Sequence, residues 1–138
     1  MEIEKRCMVL LDRLTHEGVF SVSRIDYDAV NFGNIIVEIV STFGIGIKFI
    51  KDRDDYWCEI NHEGELFFIE DVFTVLGIKQ MPEEKDFFDM MDKSIDYILE
   101  YMPQICNGFS KNNVKYTHKR LTEIASKRVA AIIKGTKR

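Results

Sequence analysis

Apolar side chains recur at Ile3, Cys7, Leu10, Leu11 and Leu14, the spacing of one helical face, and Gly18 supplies a stop, so residues 2 to 17 are predicted to be helical. Ser21 to Asn34 mixes polar and aromatic residues without a period and reads as a connection, with room for one short strand at Phe20 to Arg24. From Ile35 the period becomes two. Ile35, Val37 and Ile39 point one way and Ile36, Glu38 and Val40 the other, in residues whose branching suits a pleated surface. Ile45, Ile47 and Phe49 alternate again after Phe43-Gly44, and Tyr56 to Ile60 alternates after Asp52 to Asp55. Three strands with two short turns predict an antiparallel meander.

Asn61 to Glu65 contains Gly64 and reads as a turn, followed by a short helix from Phe68 to Leu76 that ends at Gly77. Pro82, with Glu83, Glu84 and Asp86 behind it, announces the next helix, because acids favour the positive end of the helix dipole; Pro103 is its predicted stop. Phe88, Met91, Ile95, Leu99 and Met102 make one apolar face of that helix, and Phe87, Met90, Tyr97 and Tyr101 an adjoining one. Asp89, Asp92, Lys93, Asp96 and Glu100 form the remaining stripe, so water meets a narrow acidic edge. A last helix is predicted from Val114 to Lys134 with Leu121, Ile124, Ala125, Val129 and Ile132 facing inward and Gly135 at its end.

The expected fold is α+β, in the order α-β-β-β-α-α-α: a three-stranded antiparallel β-meander packed with about four helices. At 138 residues, 46% hydrophobic and 30% charged, the chain has the size and composition of a single domain spanning 1–138 that buries a core of its own. The acidic start Met1 to Arg6 lacks the basic run and apolar stretch of a signal peptide. Glu38 and Lys48 break the most apolar stretch, so no membrane span is expected. Cys7, Cys58 and Cys106 are odd in number and far apart, which fits buried, reduced thiols in a cytoplasmic protein better than disulfides or zinc.

Charge is uneven. Residues 1 to 110 hold 22 acids and 10 bases, whereas residues 111 to 138 hold 9 bases and 1 acid. Lys111, Lys115, Lys119, Arg120, Lys127, Arg128 and Lys134 could track phosphates, which keeps a nucleic-acid accessory protein in view. A basic helix packed beside an acidic body is the favoured reading, since no phosphate loop or interleaved aromatics accompany the bases.

His16, His62 and His118 fall on three elements without metal-ligand spacing, and no GxSxG, P-loop or GxGxxG occurs, so no catalytic residue, metal or cofactor is expected. A small enzyme would have to gather distant histidines and carboxylates by folding. Asp52, Arg53, Asp54 and Asp55 make a charged turn beside Trp57, the only tryptophan. Such a turn next to a half-exposed aromatic has the composition of an interface hot spot. The candidate partner-binding residues are therefore Asp52, Arg53, Asp54, Asp55 and Trp57, with the acidic stripe Asp89, Asp92, Asp96 and Glu100. The competing expectation for the stripe is pairing with the basic last helix.

Phe32-Gly33-Asn34-Ile35-Ile36-Val37-Glu38, then Ile47 to Arg53 leading into Tyr56 to Ile60, resembles a group of small bacterial immunity-type proteins. Phe68 to Gly77 resembles their short helix, and Ser126-Lys127-Arg128-Val129-Ala130 their closing helix. The resemblance implies a cytoplasmic antidote that binds and neutralises a cognate toxin of the polymorphic or contact-dependent growth-inhibition kind. It carries over no binding residues.

Overall fold

A computed structural model of the chain describes residues 2–136. The elements are α1 (Glu2–Thr15), β1 (Phe20–Asp28), β2 (Asn34–Ser41), β3 (Ile45–Asp52), β4 (Asp55–His62), β5 (Glu65–Phe68), α2 (Ile69–Leu76), α3 (Phe87–Glu100), α4 (Met102–Gly108) and α5 (Val114–Thr136). The fold is α+β, and the strands form one antiparallel sheet in the order β1-β2-β3-β4-β5. The three predicted strands are β2, β3 and β4.

Two further strands and a fifth helix correct the expected count. β1 begins where a short strand was allowed at Phe20 to Arg24 and runs on to Asp28; its register shifts between Val22 and Arg24, and this β-bulge breaks the period of two that would have revealed the full strand. At the other end Glu63 and Gly64 make a two-residue hairpin turn with φ of 52° and 81°, returning the chain into β5 rather than directly into a helix. α3 begins five residues later than Pro82 suggests, at Phe87, because the Asp86 carboxylate caps it by accepting the Asp89 N–H at 2.8 Å. Pro103 does not close that helix on open chain: it lies in the first turn of α4, where a missing N–H costs nothing.

One face of the sheet is inside. Ile35, Val37, Ile39, Ile45, Ile47, Phe49, Cys58 and Ile60 are buried in a single cluster with Cys7, Leu11 and Leu14 of α1, Val72 and Phe73 of α2, and Met90, Met91, Ile95 and Ile98 of α3. Burying such side chains supplies about 1.5–3 kcal/mol each, which is what orients the sheet against the helices. α5 departs from expectation. Leu121 is buried and Ile124 half-buried, but Ala125, Val129 and Ile132, expected inward, are exposed, because the helix runs past the body it packs on.

Candidate functional site

On the opposite face the side chains of β2, β3 and β4 are half-buried or exposed, and at its β5 edge Arg128 of α5 lies 5.2 Å over the Phe68 ring. The register aligns its side chains in rows. Arg24, Glu38, Lys48, Glu59 and Phe68 lie in one row; Asp26, Ile36, Ile50 and Trp57 in the next; Asp28 and Asn34, and Asp52 and Asp55, continue the same parity at the end of the sheet. None of Ile36, Ile50 or Trp57 belongs to the buried cluster, and all three are half-buried. On the far side of the charged row Gly46 leaves a dent of about 160 Å³ bordered by Val40, Asn61 and Leu66.

The charged row is internally matched. Arg24 donates to Asp26 at 2.5 Å and to Glu38 at 3.3 Å, and the Lys48 ammonium lies 3.6 Å from Glu38. Trp57 Nε1–H donates to Glu59 at 3.3 Å, which fixes the indole against the row. The end of the sheet is acidic without such matching: among the described residues Asp52, Asp54 and Asp55 make no ion pair, and Asp52 faces Asp55 across the strands. Asp28 is held below the usual carboxylate range by the Asn31 side-chain N–H, then by the Asn31 and Val30 backbone N–H groups, so it stays charged at neutral pH.

Arg53 occupies the left-handed region at φ 59° between these aspartates. Its N–H donates to Asn34 Oδ1 at 2.7 Å, and its guanidinium lies 4.8 Å from the centre of the Phe32 ring. These contacts dock the β3–β4 turn against the β1–β2 turn and aim the cation at Phe32. Three of the predicted residues, Asp52, Asp55 and Trp57, thus share one face.

The acidic stripe lies elsewhere, in the helical layer behind the sheet. Arg13 of α1 donates to Asp96 and, at 2.6 Å, to Asp92. Asp89 accepts Lys93 at 3.0 Å and the Lys85 N–H at 2.9 Å; the Lys85 backbone bond, followed by Lys93, holds its pKa below the usual carboxylate range. Glu100 is exposed at the end of α3. The expected pairing of the stripe with the last helix is not what forms: Asp92 and Asp96 pair with α1 and Asp89 with Lys93 of its own helix, while α5 bonds Asp71 of α2 through Arg128, which donates at 2.6 and 2.9 Å.

Folding also assembles a histidine pair that sequence spacing hides. His62 Nδ1 and His118 Nε2 are 2.9 Å apart, and His118 Nδ1 is 2.9 Å from Glu65 Oε2. A carboxylate only accepts, so His118 Nδ1–H donates to Glu65; a neutral His118 then accepts from His62 Nδ1–H. Phe109 packs 4.9 Å from the His62 ring and Phe67 5.1 Å from the His118 ring. The chain of bonds ties α5 to the β4–β5 hairpin. The one available signal was parity, since His62 continues the inward positions Cys58 and Ile60.

Among the described residues no group of three or more His, Cys, Asp or Glu side chains is arranged to hold a metal, and no helix is long and apolar enough to cross a membrane. No protein-family model, curated protein or solved structure matches the chain.

Proposed function

We propose that the chain is an immunity-type protein that neutralises a bacterial toxin by binding it directly, and that the open face of the sheet is the binding surface. The observation that carries this is the apolar row Ile36, Ile50 and Trp57 set between a matched charged row and an unmatched acidic end. Binding energy concentrates on aromatic anchors with apolar support, and surrounding polar groups set the register and exclude water. The resemblance to small immunity-type proteins runs through the same three strands.

Unmatched acids at Asp28, Asp52, Asp54 and Asp55 favour a cationic partner, such as the basic cleft of a toxin that acts on nucleic acid. Long-range attraction would steer the encounter and weaken once salt screens beyond about 8–10 Å.

The test is co-expression with the toxin encoded by a neighbouring gene, read as growth. Protection by the wild type and its loss in Trp57→Ala with Asp55→Lys, in a variant whose circular dichroism is unchanged, is the expected result. A folded double variant that protects fully would remove this face from the mechanism.

A further inference from the structure

The bases of α5 are not taken up by the acidic body they were expected to neutralise. Of its lysines and arginines only Arg128 bonds an acid of another element, Asp71, while Arg120 approaches Glu123 of its own helix at 4.0 Å. Among the described residues Lys119, Lys127 and Lys134 make no ion pair or hydrogen bond, and all three are exposed.

Helical geometry sorts the sides of α5. The helix packs on the body along the side of Thr117, Leu121 and Ile124, and Ala125 and Val129 on the next side line an apolar groove beside β5. At about 100° per residue, Tyr116, Arg120, Glu123, Lys127 and Lys134 fall within about 60° of arc on the side turned away from that groove, with Lys119 at its border. Lys119, Lys127 and Lys134 follow one another at eight and seven residues. Those steps rise about 12 and 10.5 Å, and a strand of stacked nucleotides advances about 3.4 Å per phosphate, so successive lysines meet every third or fourth phosphate.

One aromatic stands on the same side. Tyr116 is 60% exposed; its hydroxyl accepts from Arg120 at 2.9 Å, and the guanidinium lies 5.9 Å from the ring centre. An exposed ring steadied by a cation is a platform for stacking a base. Glu123, the single acid of α5, is matched by Arg120 and leaves the lysines unopposed. No aliphatic side chain lies in this arc, whereas a helix that binds a lipid surface sets apolar residues into it. The 22 acids and 10 bases of residues 1 to 110 repel a polyanion from the body and steer it to the outer side of α5.

We propose that the outer side of α5 binds single-stranded nucleic acid, with Lys119, Lys127 and Lys134 on phosphates and Tyr116 stacked on a base. This activity does not rest on toxin binding: Trp57 and Asp55 lie on the sheet and take no part in it.

The probe is a fluorescein-labelled dodecamer of thymidylate, titrated with the full chain by fluorescence polarisation. Three phosphate contacts on a single strand give a log–log salt slope of about −2.1, so affinity should fall about twentyfold between 50 and 200 mM salt. Lys127→Gln with Lys134→Gln should flatten the slope by about 1.4, and Tyr116→Ala should weaken binding about fivefold or more at each salt concentration, both with unchanged circular dichroism. Lys5→Gln, which removes a positive charge from an exposed position of α1, should leave the slope as it is. Absence of saturable binding, or a slope that Lys5→Gln flattens as much per charge as the α5 variant does, would overturn the proposal. Three other results would do the same: polyglutamate of equal charge displacing the probe as well as unlabelled oligothymidylate does, making the partner an acidic protein; phosphatidylserine vesicles binding the chain while the oligonucleotide does not; or a duplex of the same length bound more tightly than the single strand, with Tyr116→Ala without effect.

Discussion

Lowering the pH should destabilise this protein through His62, and replacing that residue should remove the effect. His62 is 7% exposed, stacked near Phe109 and bonded to His118. Burial, the largest influence, pushes its pKa down; Glu63 draws it up, His118 pushes it down and Glu65 draws it up, leaving the net shift downward. Below the ordinary histidine value of about 6.5 the unfolded chain therefore binds a proton that the folded chain still refuses. Stability rises with pH when the unfolded state holds more protons, so this contribution is complete above about pH 6.5 and is lost as pH falls toward the folded pKa, at up to about 1.4 kcal/mol per pH unit. Urea unfolding of wild type and His62→Phe at intervals from pH 8 to pH 5 measures it. Glu70, whose carboxyl is pushed up by burial, contributes the opposite slope, but it is present in both proteins and cancels in their difference. The wild type's advantage over the variant should shrink steadily below pH 6.5. A difference that stays constant across the range would refute the reasoning.

Phe49 is fully buried at the centre of the inner face, and Phe49→Ala should cost about 3–5 kcal/mol in a urea titration. Glu63→Asn should stabilise by about 0.5–1 kcal/mol, since Asn-Gly is the preferred pair for a two-residue turn with both φ positive; a fall in the unfolding midpoint would contradict the turn assignment. Arg13→Ala should cost no more than about 1 kcal/mol, because its bonds to Asp92 and Asp96 are exposed, and raising the salt concentration should narrow the gap to wild type. The Cys7 thiol is pushed up to about 11, chiefly by burial, and the Cys58 thiol is also raised, so a thiol reagent at pH 8 should modify both only as fast as the chain unfolds.

Legibility followed the regularity of the backbone. β2, β3 and β4 were readable because their alternation is unbroken and most of their inward residues are β-branched or aromatic. A single bulge was enough to cut β1 down to the short strand allowed at Phe20 to Arg24: Val22 and Ile25 both face the core side, three residues apart instead of two. β5 was lost because its four residues offer only two turns of the alternation before α2 begins. The pattern on α5 is as regular as any, yet periodicity reports which residues share a face and not whether anything covers that face; at Val129 nothing in the described chain does so fully. Long-range pairs leave no local trace. His62 and His118 lie 56 residues apart, and Arg13 and Asp96 lie 83 apart.

The β3–β4 turn is where local rules and the fold disagree most. A two-residue hairpin with a left-handed first position is served best by glycine or asparagine, and here Arg53 takes it. Opposite charges are favoured across paired strands, and here Asp52 faces Asp55 with Asp54 adjacent. Sites that break such rules while the surrounding sheet obeys them are where function or strain is to be sought. Asp55→Lys should therefore do two opposed things: stabilise the fold by about 0.2–1 kcal/mol by turning a repelling pair into an attracting one, and weaken binding to a cationic partner. Urea unfolding reads the first and the growth assay, titrated by toxin expression level, reads the second. If the substitution destabilised the hairpin, Asp52 and Asp55 would be structural partners through contacts of their own; if it stabilised the fold and protection were undiminished, the acidic end of the sheet would have no part in binding.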